Sequence, residues 1–175
     1  MKLIHLSRKD RWEGIKPISR ITNNDGIMKP KGVLWTSPEI KQGTLTTSDW
    51  INWCRVNNFY DSDKEYIKVT LSADGTANIY DVKCLQTYKQ LSAECPDNRP
   101  TGMSFLYNHL TPVDWKAVAE KYDGVRISGK ALGLRILSAW DVDSVAFFNT
   151  EYLSVENIAD VELESHLNGA NAHNG

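Results

Sequence analysis

The apolar residues of this chain come in short alternating runs divided by turn-rich polar stretches, and that spacing restricts its fold more than any other feature. Lys2–Ser7 and Tyr66–Leu71 alternate with the period of a half-buried strand. The turn signal Asp74-Gly75 predicts a hairpin that returns along residues 77–80. Gly32 to Thr36 is a further short strand, closed by Ser37-Pro38. Helical spacing appears in three places. Thr47-Ser48-Asp49 predicts a cap for a helix beginning at Trp50, with Trp50, Trp53 and Cys54 on one inward face. Val82, Leu85, Tyr88 and Leu91 predict a second helix, and Thr111-Pro112 opens a third along Trp115, Val118 and Ala119. Residues 125–128, 134–139 and 144–148 read as strands, and 154–163 as a last edge strand or a short helix. Residues 8–31 read as one long polar loop with room for a single helical turn, the kind of loop that often carries function. The expected class is α+β: mostly antiparallel strands with about three inserted helices. One domain over residues 1–165 is expected, followed by a frayed tail at 166–175.

With 175 residues, 41% hydrophobic and 24% charged, the composition is that of a folded domain. A net charge of −2 excludes strong phosphate-driven attraction to nucleic acid over the whole surface. No apolar run approaches the roughly 20 residues that span a bilayer, so no membrane partner is expected. The three cysteines are scattered and no secretory pattern opens the chain, which predicts reduced thiols in a cytoplasmic protein.

Three separated pieces carry side chains suited to chemistry. His5 lies in the first strand, either as a core or edge histidine or as a hydrogen-bond donor to a sugar hydroxyl. Trp35, Thr36 and Ser37 end the second strand. They read either as a buried indole with an ordinary turn, or as a stacking wall with hydroxyls for an amide or ribose. Asp141 and Asp143 are two apart, which in a strand places both carboxylates on one face, where one pKa rises. A solvated turn is the alternative. Arg99 lies in a Pro/Gly-broken loop running from Cys95 to Ser104, where it is either solvated or a partner for a pyrophosphate. No paired histidine spacing predicts a metal, and no phosphate-loop, dinucleotide-fingerprint or serine-hydrolase motif occurs.

The order of these pieces resembles the ADP-ribosyltransferase superfamily, in its His-aromatic-acid branch with small phage and bacterial members. The resemblance rests on Lys2-Leu3-Ile4-His5-Leu6-Ser7, on Gly32-Val33-Leu34-Trp35-Thr36-Ser37, on Tyr122-Asp123-Gly124-Val125, and on the acid before an apolar strand at Ser144–Phe148. It covers most of residues 1–150 as pattern, not as identity. It departs from the family in having Asp where Glu is usual and Trp where Tyr or Phe is usual. The resemblance implies split antiparallel sheets around NAD, used as a substrate. His5, Trp35, Thr36, Ser37 and Arg99 would bind it; Asp143 would be the family acid that stabilises the ribose cation, Asp141 would position the acceptor, and His5 would be catalytic with them. It implies transfer of ADP-ribose to a macromolecule, a protein rather than a nucleic acid, with nicotinamide released. A phage-encoded member would work in the host cytoplasm. A non-catalytic binding or inhibitor protein, and an NAD glycohydrolase on the same scaffold, are the alternatives.

Overall fold

Alternation along Lys2–Arg8 commits that segment to a strand with two differently employed faces. Leu3 enters one apolar cluster and Ile4 enters another. The computed structural model describes residues 1–24, 27–98 and 110–163. In chain order these form β1 (Lys2–Arg8), β2 (Thr22–Asn24), β3 (Ile27–Lys31), β4 (Leu34–Pro38), β5 (Ile40–Gln42), β6 (Leu45–Thr47), α1 (Asp49–Val56) and β7 (Tyr66–Ala73). Next come β8 (Ile79–Val82), α2 (Leu85–Glu94), α3 (Trp115–Ala119), β9 (Gly124–Ile127), β10 (Ser144–Phe147) and β11 (Leu153–Val161). The class is α+β, with one large, mostly antiparallel sheet and three α-helices among the described residues.

The seven-stranded sheet has the order β11-β7-β1-β4-β10-β9-β8. Two small hairpins, β2-β3 and β5-β6, stand beside it. β1 pairs with β7 along its whole length, from Lys2–Ser72 to Arg8–Tyr66. Its pairing with β4 is confined to Leu3–Pro38 and Ile4–Ser37. The sheet therefore consists of two well-knit halves joined along a short seam.

Three clusters pack this sheet. Leu3, Val69, Leu71, Val145 and Phe147 fill one face and bridge both halves. On the other face, Ile51 and Cys54 of α1 meet Ile4. The largest cluster sets Tyr88 and Leu91 of α2 and Trp115 and Val118 of α3 against Val125, Ile127 and Trp140. Burying each large apolar side chain contributes about 1.5–3 kcal/mol.

Several local expectations give way to tertiary pairing. The turn at Asp74-Gly75 forms, but β8 does not return along β7. It pairs in parallel with β9, from Ile79–Gly124 to Val82–Ile127, with α2 and α3 in the intervening chain. Residues 134–139 are not a strand. They follow and include 3-10 turns at Gly129–Gly133 and Arg135–Leu137, through which Ile136 and Leu137 are buried. The third helix starts later than Thr111-Pro112 implies, because Asp114 accepts a hydrogen bond from the Lys116 amide and caps it there. The polar stretch 8–31 holds a 3-10 turn at Lys9–Arg11 and the β2-β3 hairpin. Residues 154–163 take the strand alternative, as the edge strand β11. The tail 166–175 and Arg99 lie outside the described residues.

Candidate functional site

Beyond Ile4–Ser37 the β1–β4 pairing ends, and a side chain takes over. The His5 Nδ1 lies 2.7 Å from the Trp35 carbonyl oxygen. A carbonyl only accepts, so Nδ1 carries the proton. Burial pushes the imidazole pKa down, and the bond to Trp35 offsets this in part. His5 is therefore neutral near pH 7 and its Nε2 is an unprotonated acceptor. Toward a sugar hydroxyl it would accept a hydrogen bond, the reverse of the donor role expected from sequence.

A cavity of about 340 Å³ opens beside this point. His5 and Leu6 of β1, Trp35 and Thr36 of β4, and Lys29 of β3 contribute to its lining. Trp50 and Trp53 of α1, the following Phe59, and Asp141 and Ser144 at the approach to β10 complete it. Four of the residues expected from sequence thus meet: His5, Trp35, Thr36 and Asp141. Lys29, Trp50, Trp53, Phe59 and Ser144 are additions. Trp50 and Trp53 had a legible signal as two indoles one turn apart, but the inward packing expected of them is incomplete.

The walls are ordered by ring packing. Trp50 and Trp53 are stacked with centroids 5.0 Å apart and planes 9° from parallel. Phe59 sets its edge against both, at 5.8 and 5.3 Å. Trp35 meets the buried Trp140 edge-on at 4.8 Å. The Lys29 Nζ sits 4.6 Å from the Trp35 ring centre and 5.9 Å from that of Trp50, and donates to the Ala139 carbonyl at 3.1 Å.

The two aspartates occupy different settings. They precede β10, so the same-face argument for a strand does not hold here. Asp141 is exposed, lines the cavity and accepts no hydrogen bond from the described residues. Asp143 is gripped by Arg126, with Nε and Nη2 at 2.8 and 2.6 Å from its two carboxylate oxygens. Arg126 also lies 3.9 Å from Asp81, which accepts from Ser128. Ser37 is outside the cavity lining, and its hydroxyl donates to the Asp143 carbonyl at 2.6 Å. The Thr36 hydroxyl donates to the Val145 carbonyl at 3.2 Å. Both hydroxyl protons expected to reach a ligand are engaged by backbone.

His5 also lines a second cavity of about 360 Å³, together with Arg11, Lys16 and Arg20. Lys16 pairs with Glu13, whereas Arg11 and Arg20 form no salt bridge with the described residues. Among the described residues no group of three or more His, Cys, Asp and Glu side chains is placed to hold a metal. No described helix is long and apolar enough to cross a membrane. The Cys54 thiol is buried, with its pKa pushed up to about 11, which removes it as a nucleophile.

No family model, curated protein or solved structure matches this chain.

Proposed function

We propose that this chain is an ADP-ribosyltransferase that binds NAD in the cleft beside the β1–β4 seam. The observation that carries the reading is the meeting of His5, Trp35, Thr36 and Asp141 in one aromatic-walled cavity. Its volume and its mixture of rings with a few polar groups fit a small-molecule site. In this reading the nicotinamide ring enters between the indole walls and His5 Nε2 accepts from a ribose hydroxyl. Arg11 and Arg20 offer cations for the pyrophosphate in the adjoining cavity.

The bond from the anomeric carbon to the ring nitrogen breaks, and its electron pair neutralises the departing nicotinamide. Positive charge grows on the ribose, and Asp141, the sole carboxylate among the described lining residues, stabilises it. A lone pair on the acceptor then forms the new bond to the anomeric carbon, and the acceptor's proton leaves to Asp141 or solvent. Asp143, held by Arg126, has a supporting role here. A protein acceptor is the reading for the second substrate. A non-catalytic binding protein is favoured by one separate observation: Phe59 and Val56 are 60% and 80% exposed beside the indole pair.

Incubation with labelled NAD and a cell lysate tests the reading. Release of nicotinamide and a labelled acceptor are expected, with turnover falling roughly 10²-fold in Asp141→Asn. NAD that stays intact in every lysate tried would sink it. NAD loss without a labelled acceptor would turn the reading to a glycohydrolase.

A further inference from the structure

The aromatic cavity already contains a cation of the protein's own. The Lys29 ammonium lies over the face of Trp35 and within 5.9 Å of the Trp50 ring centre. Ring faces carry the negative lobe of the aromatic quadrupole and attract such a charge. No described carboxylate forms a salt bridge with Lys29, which donates a hydrogen bond to the Ala139 backbone carbonyl. Asp141 acts on it only at longer range, and burial works against its charge. A primary ammonium is strongly hydrated, so this is a dry seat for it. A bulkier cation with diffuse charge would lose less water on entering. The Trp50–Trp53 stack and the exposed ring of Phe59 add aromatic wall that Lys29 does not cover.

We propose that this cavity is a binding site for an organic cation, a quaternary ammonium or a pyridinium, and that Lys29 is its intramolecular stand-in. Entry of the ligand moves the Lys29 ammonium off the Trp35 face. Asp141 supplies the compensating negative charge near the mouth. The nicotinamide ring of NAD is one such pyridinium, so the proposal extends the transferase reading, but it does not depend on it.

Binding titrations followed by tryptophan fluorescence test this on the whole chain. The probes are choline against its neutral carbon isostere, and 1-methylnicotinamide, methylated on the ring nitrogen, against neutral nicotinamide. Each cation is expected to bind about tenfold more tightly than its neutral partner. Lys29→Met should tighten the cations several-fold and leave the neutral probes unchanged. Phe59→Ala, at an exposed position that spares the core, should weaken the cations selectively. A preference for choline identifies an alkylammonium ligand, and a preference for 1-methylnicotinamide identifies a pyridinium. Equal affinity for charged and neutral probes overturns the proposal, as does unchanged cation affinity in Lys29→Met. Cation selectivity in a protein that never consumes NAD removes the transferase reading alone. NAD turnover without cation selectivity removes this one alone.

Discussion

Asp141 and Asp143 are separated by one residue, yet the structure assigns them different consequences on mutation. The informative perturbation is Asp143→Asn, which keeps side-chain volume and removes charge. The Arg126 and Asp143 side chains are 29% and 21% exposed, between the regimes of surface and buried pairs. Exposed pairs contribute up to about 1 kcal/mol, and breaking a buried one costs about 3–5 kcal/mol. Here both bonds of a bidentate contact weaken, but Arg126 keeps Asp81 at 3.9 Å. A loss of about 2 kcal/mol follows. For a chain of this size that lowers Tm by about 4–8 °C, readable by circular dichroism during heating. Asp141→Asn should remain within about 0.5 kcal/mol of the native protein, because no described group bonds to its carboxylate. Adding Arg126→Gln to Asp143→Asn should restore part of the loss, since the cation left with only the 3.9 Å contact to Asp81 is then gone. An Asp143→Asn protein with unchanged Tm and abolished nicotinamide release would refute the reasoning and make Asp143 the reacting acid.

Three further outcomes follow from local geometry. Gly32 has φ +75° and faces the Arg20 carbonyl oxygen, which an added Cβ would overlap, so Gly32→Ala should cost at least about 2 kcal/mol in urea unfolding. The native state holds the His5 pKa below its ordinary value near 6.5, so the unfolded chain takes up that proton first as pH falls. Stability should therefore decline below about pH 6.5, and His5→Gln should remove that component of the slope in denaturation at graded pH. Amides of Thr87 and Gln86 favour the Cys84 thiolate, whereas burial raises the Cys54 and Cys95 thiols. Iodoacetamide at mildly alkaline pH should label Cys84 first by mass spectrometry, and equal labelling of Cys54 would contradict this.

Much of the framework was legible in local pattern. Alternation located β1 and β7 because each has a buried face, and Ser48 announced α1 because its hydroxyl accepts from the Ile51 amide. Strand partners were less accessible. The turn before β8 suggested a hairpin, but β1 and β11 occupy both sides of β7, and β8 found its place beside β9. The helical spacing between β8 and β9 was the available sign of a parallel crossover. In the candidate site, His5, Trp35 and Thr36 could be named from their strands. The division of labour between the aspartates could not, because it depends on Arg126 in another strand. Lys29 lay in a stretch that read as a long polar loop, and the β2-β3 pairing brings it over Trp35.

The narrow seam between β1 and β4 also has a mechanical meaning. Two paired positions join the halves of the sheet, while the apolar cluster of Leu3, Val69, Val145 and Phe147 spans them from behind. The cavity with the aromatic walls lies at that seam, on the face opposite this cluster. Admitting a guest larger than the resting space requires few ladder bonds to part. Amide hydrogen exchange near the seam should accordingly outpace exchange at Val69 and Thr70 in the middle of β7.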